Sequence, residues 1–196
     1  MRAAADTAKR DRRFGGGRRA VRFGPALFLA LALPLAAGAE AVRDLARPMR
    51  AVEGFDKARL VGDWFEVAAT PNILERDCHG VTTTIEARED SRLTLKIACR
   101  VGSLTGTVLP IEGVMVEVVP GLYQVRFVRL PQFGNLEFAV LWAAADDSMV
   151  VLGSGLGQVG WVLAKEAKPD AAAYAAGVQV LVDNGYAPGA IAPVEQ

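Results

Sequence analysis

Gly62-Asp63-Trp64-Phe65-Glu66-Val67 and Trp161-Val162-Leu163-Ala164-Lys165 are the two stretches on which the fold turns. A Trp two residues past a Gly in the first strand of an all-β domain, with a cation ending the last strand, allows the base of a small barrel to be plugged. The cation stacks on the indole, a contact worth ~0.5–2 kcal/mol depending on desolvation. The pairing predicts a closed container, with Gly62, Trp64 and Lys165 as its barrel-closing residues.

Between these ends the chain alternates. Val81 to Arg88 and Arg92 to Cys99 are β-branched, period-two runs joined by the polar turn Glu89-Asp90-Ser91. Leu109 to Val119, Leu122 to Val128, Leu136 to Ala143, Ser148 to Gly153 and Val159 to Ala164 read as further strands, separated by Pro- and Gly-bearing turns. With the strand at Gly62 this makes eight. Eight short sequential antiparallel strands form either a sandwich or an up-and-down barrel whose interior holds one small ligand. The tail then changes period: Pro169 and Asp170 precede an alanine-rich helix that ends at Asn184-Gly185, with Tyr174, Val178 and Leu181 on one stripe that packs outside the barrel. Ala190 to Gln196 either adds a short edge strand or trails.

Residues 1–39 stand apart. Arg18, Arg19 and Arg22 precede an apolar run from Pro25 to Ala36, which closes on Ala37-Gly38-Ala39. This is the pattern of a secretory signal peptide, shorter than the ~20 residues of a membrane-spanning helix. The positive region is long, which suggests an upstream start codon or a twin-arginine signal; the residues after Arg18-Arg19 lack the apolar character of the latter. The expected organisation is therefore a signal peptide over 1–39 and one domain over 40–196, delivered to the periplasm or secreted. No Cys lies beside the cleavage site to accept a lipid anchor.

Removing the signal changes the charge. The whole chain carries 22 Lys+Arg against 22 Asp+Glu, but residues 40–196 keep 14 cationic and 20 anionic side chains, a net −6. An acidic surface disfavours nucleic acid and anionic headgroups as partners.

Both cysteines, Cys78 and Cys99, lie in the exported part and flank the first hairpin, and an oxidising compartment favours a disulfide between them. The alternative is a redox pair or catalytic thiol, with His79 as the base at hand.

These residues resemble a known family. Phe55 through Ala68, then Cys78 and Val81-Thr82-Thr83-Thr84, and finally Trp161 to Lys165 followed by a helix, are similar to the bacterial lipocalins and their animal relative apolipoprotein D. The resemblance spans Phe55 to the terminal helix and implies an eight-stranded antiparallel up-and-down barrel with a C-terminal α-helix packed outside. Two features depart from the family pattern: Lys165 stands where Arg is usual, and the acidic and aromatic middle motif is largely replaced by Ala143-Ala144-Ala145-Asp146-Asp147. The first loosens the plug, since Lys lacks the planar fork of Arg. The second puts in doubt partner contacts made through that turn.

Strand parity selects the residues facing inward. Tyr123, Val125 and Phe127 share one face; so do Val81, Thr83 and Ile85, then Leu136, Phe138, Val140 and Trp142, then Trp161 and Leu163. The resemblance implies that the positions of Ile85, Phe138 and Trp161 line a pocket. The ligand-binding candidates are therefore Ile85, Tyr123, Val125, Phe127, Phe138, Val140, Trp161 and Leu163, an aromatic and aliphatic wall suited to a fatty acid, a lysophospholipid or a similar molecule. The same residues are equally able to fill a solid core. Leu130-Pro131-Gln132-Phe133-Gly134 is a loop that gates entry or touches a membrane surface peripherally, or does neither.

Catalysis has little support: there is one His, no Gly-x-Ser-x-Gly and no metal-ligand cluster. His79 reads as a solvated turn residue, and Glu66 and Glu137 as surface or rim carboxylates. The expected protein is a non-enzymatic carrier or store for a small hydrophobic ligand, acting in envelope maintenance or stress, without metal or cofactor, as a monomer or weak homodimer. A lipocalin-fold enzyme using a free cysteine on a bound lipid is the alternative.

Overall fold

The computed structural model describes residues 42–130 and 134–196. The signal-peptide segment and Pro131-Gln132-Phe133 of the proposed gating loop lie outside the described residues. Eight antiparallel strands follow one another around a closed barrel: β1 (Gly62–Ala69), β2 (Cys78–Ala87), β3 (Leu93–Val101), β4 (Val108–Val119), β5 (Leu122–Phe127), β6 (Asn135–Ala143), β7 (Met149–Gly153) and β8 (Gly160–Ala164). Each pairs with the next, and β8 returns to β1, so the up-and-down barrel is complete and the sandwich is excluded.

The closing pair is short. β1 meets β2 only from Gly62↔Ile85 to Phe65↔Thr82, and beyond that the two strands part. The chain's own C-terminus enters the gap as a two-residue strand, β9 (Ala192–Pro193), paired with Ala68 and Ala69. Gly80 N donates to Glu195 O, and the Gln196 side-chain amide reaches the carbonyls of Glu66 and Val81. The tail thus supplies edge hydrogen bonds that β1 and β2 do not give each other.

Alternation builds two apolar clusters, one inside the barrel and one outside. The inner cluster takes Trp64, Ile85, Leu95, Phe138, Trp161, Leu163 and their neighbours; the outer takes Val67, Ala68, Leu141, Met149, Val162 and Leu181. Helix α1 (Ala171–Asp183) covers the outer one. It starts at Asp170, whose carboxylate accepts from the Ala172 and Ala173 amides, the cap expected of that residue type. Leu181 is buried, with Tyr174 and Val178 packed beside it. At Gly177 a Cβ would sit 2.7 Å from Val162 Cγ1 and 2.9 Å from Met149 Sδ, so glycine sets how closely the helix approaches the sheet.

Register shifts occur in β1, β2, β4 and β6, and two of them bear on the lumen. One lies between Val140 and Trp142, and past it Trp142 turns outward into the helix-covered cluster, a correction to its expected place in the lumen. The other lies between Glu66 and Ala68: Trp64 and Glu66 face inward before it, Val67 and Ala68 face outward across it, and Ala69 faces inward again.

Candidate functional site

The base of the barrel is built from β1, β8 and a short 3-10 turn at Lys57–Leu60. Trp64 is buried, its Nε1 donating to the Leu60 carbonyl at 2.8 Å. Lys165 Nζ lies 3.6 Å from the centroid of the Trp64 ring and donates to Asp63 O at 3.1 Å. Gly62 makes room for this stack: its φ is +124°, and a Cβ there would sit 2.9 Å from Lys165 Nζ. Partial burial lowers the Lys165 pKa, with Asp63 and Asp147 acting against that shift.

Above the plug the interior is almost filled. The remaining cavity measures about 10 Å³ and is bordered by Ile85, Phe138, Trp161 and Leu163 together with Thr83 and Met115, among others. That is about the space of a single water. Phe138 and Trp161 form a tilted aromatic pair, centroids 4.9 Å apart. Tyr123, Val125, Phe127 and Val140 belong to the same inner cluster but do not border the cavity. Tyr123 is buried, its hydroxyl 3.3 Å from Glu117, and burial raises its pKa strongly.

The mouth holds what the sequence reading missed. Glu66 is no surface or rim carboxylate: it is 1% exposed and points into the open end of the barrel, whereas Glu137 is exposed. Its neighbour is Glu75, from the connection between β1 and β2, a residue partly exposed along its length with its carboxyl group buried. Glu75 Oε2 accepts from Asn72 Nδ2 at 2.6 Å and from Trp161 Nε1 at 2.9 Å. Burial first, then the Glu75 charge, hold the Glu66 carboxyl well above the usual carboxylate range. Burial also raises Glu75, while hydrogen bonds from Asn72, Trp161 and Glu66 lower it. Both carboxyls are thus raised by burial, Glu66 the more strongly. Period two from Trp64 already places Glu66 inward, and that was the available signal; Glu75 sits in an irregular connection, where no periodicity applies.

The same connection covers the mouth. Leu74 is buried in the inner cluster, with Leu130 packed beside it. Next to the acid pair opens a pocket of about 470 Å³, walled by Thr70, Ala69, Val81 and Val194 as well as both glutamates.

Cys78 and Cys99 are joined in a disulfide that ties the start of β2 to β3. With both sulfurs bonded, the thiol-enzyme alternative has no nucleophile. His79 lies within β2 rather than in a turn, its Nδ1 2.9 Å from Glu195 Oε2 of the tail. Among the described residues no group of three His, Cys, Asp or Glu side chains converges on a metal-sized space.

Among solved structures, the chain is similar to Per a 4, a major allergen from cockroaches, at 17% identity and TM-score 0.58, covering 75% of this chain and 92% of that one. Lobster apocrustacyanin A1 matches at 12% identity and TM-score 0.58, over 72% of this chain and 79% of its own. Insecticyanin from the tobacco hornworm Manduca sexta matches at 17% and 0.57, over 76% and 85%. At these identities the likeness concerns the fold. Comparison with curated protein sequences gives no match. Residues 55–196, from the 3-10 turn beneath the plug to the tail that seals the mouth, match the family profile described as the lipocalin-like domain, and the chain belongs to that family.

Proposed function

We propose that this protein is an exported binding protein that carries or stores a small hydrophobic molecule with a single apolar chain. The observation that carries the reading is the inner wall: a largely apolar surface with the Phe138–Trp161 pair at its centre, plugged at the base and covered at the mouth by the β1–β2 connection, where Leu74 is buried with Leu130 packed against the same cluster. Ile85, Phe138, Trp161 and Leu163 border the residual cavity and are the ligand contacts, with Tyr123, Val125, Phe127 and Val140 as the supporting wall. A chain enters by displacing Leu74 and turning the aromatic pair, since about 10 Å³ accommodates none of it otherwise.

Residues 1–39 act as a cleaved signal, and the domain comprises 40–196. Arg43 supports that boundary: it is buried, its guanidinium donating to the carbonyls of Asn184, Gly155 and Arg47, so the folded unit begins before Phe55. The disulfide fits an oxidising compartment, in keeping with periplasmic or extracellular residence. Membrane contact, where it occurs, is peripheral, and the role is in envelope maintenance or stress.

Tryptophan-fluorescence titration with single-chain alcohols of increasing length tests the reading. Saturable binding whose affinity rises with chain length is expected; no saturable response at any length overturns it.

A further inference from the structure

The acid pair at the mouth is unpaired in charge and incomplete in hydrogen bonding. Among the described residues no Lys, Arg or His forms an ion pair with Glu66 or Glu75. Three buried oxygens, Glu66 Oε2, Glu75 Oε1 and Thr70 Oγ1, have no hydrogen-bond partner. Glu66 and Thr70 are each 1% exposed, so water offers these atoms little. An orphaned buried acceptor costs free energy comparable to a lost hydrogen bond, and three in one place are rare.

All three residues wall the same 470 Å³ pocket, and the remainder of that wall includes the apolar Ala69, Val81 and Val194. Arg76 and Asp77 also border it, but both are exposed and sit at the rim. Trp161 connects this pocket to the lumen: its indole N–H is bound to Glu75 while its ring borders the internal cavity. A molecule with a polar head among the acids therefore has its apolar part directed at the Trp161–Phe138 pair.

The head must supply several donors and a positive charge. A carboxylate brings a further acceptor and a like charge. A hydroxyl brings one donor and no charge, and a quaternary ammonium brings charge without any N–H. A primary ammonium brings three donors on a compact cation, one for each orphaned oxygen. We infer that the mouth pocket, bounded by Glu66, Glu75 and Thr70, binds the primary ammonium head of a single-chain amphiphile. This rests on the reading of the barrel as a container for a hydrophobic chain, and narrows its ligand from lipids in general to amine-headed ones.

Calorimetric titration of the disulfide-intact protein at pH 7 with dodecylamine, dodecanol, dodecanoate and dodecyltrimethylammonium, each below its micellar concentration, holds the chain constant and varies the head. Dodecylamine is expected to bind about tenfold or more tighter than the other three, the scale of hydrogen bonds to charged groups. Lauroyl lysophosphatidylethanolamine, run alongside, shares the ammonium and adds a phosphate; whichever of the two ammonium carriers binds tighter identifies the source of the head. Glu75→Gln and Thr70→Val should each reduce the preference for amine over alcohol, read as the ratio of the dodecylamine and dodecanol affinities in the same variant. Dodecanol or dodecanoate binding as tightly as dodecylamine to the unaltered protein overturns the inference and leaves the container reading standing. Failure of all four to bind overturns both.

Discussion

Glu66 is a buried carboxyl turned into this barrel, and its burial makes its protonation measurable. Its folded-state pKa lies above the ordinary value near ~4.3 because burial disfavours the charge and Glu75 adds to the penalty. Between the two values the folded protein binds more protons than the unfolded one, so stability is full below the ordinary carboxylate range and falls as pH rises through the folded pKa. Glu66→Gln removes the titrating group and keeps a polar side chain of similar shape. Thermal melts from pH 4 to 8 should show the unaltered protein losing stability across that range and the variant with a flatter profile; parallel profiles would place the Glu66 proton elsewhere. At the opposite end, Trp64→Ala should lower stability by ~3–5 kcal/mol as a large-to-small core change, roughly 10 °C or more in melting temperature. Lys165→Arg should hold stability or raise it, because the guanidinium stacks on the indole and reaches carbonyls with more donors. A Lys165→Arg variant that melts as low as Trp64→Ala would show that the site is fitted to an ammonium and not to a planar cation.

Among the elements, the first hairpin is the one held covalently. The Cys78–Cys99 bond closes a loop of sequence separation 21 and spans the end of the barrel where β1 and β2 have parted. On the chain-entropy model it contributes ~3 kcal/mol, so reduction should lower the melting temperature by roughly 6–12 °C; an unchanged melt with two alkylated thiols would show that the tail and the β2–β3 ladder suffice. Strand positions were legible from alternation because each is flanked by turn residues, and helix α1 from Asp170 and the alanine run. The bulges were not. An inserted residue leaves the composition of a strand intact while reversing the side to which everything after it points, which is how Trp142 moved outward. Strand β9 was legible only as an open choice, since two residues have no period, and its place depends on a gap that only the closed barrel creates.

At the scale of the whole molecule, the question is whether a barrel filled to about 10 Å³ is a container or a core. Inward parity picked out residues of the inner cluster, Trp142 excepted, but the same apolar wall serves either case, and volume is a property of packing that no alternation pattern encodes. The two cases respond oppositely to removing a side chain from the centre. In a core, Phe138→Ala leaves a closed cavity that costs ~3–5 kcal/mol and has room for a small apolar molecule but not for a twelve-carbon chain. In a container, the ligand must displace Phe138 or Trp161 to enter, and truncating Phe138 removes that cost in advance. The Phe138→Ala protein should then bind dodecanol several-fold tighter than the unaltered one, and alcohol at ~100 times its Kd should return ~2.7 kcal/mol of the lost stability. Melting curves of both proteins across an alcohol titration decide the matter. A Phe138→Ala variant that is destabilised and gains nothing from dodecanol would make the interior a core, and would confine ligand binding to the mouth pocket beside Glu66 and Glu75.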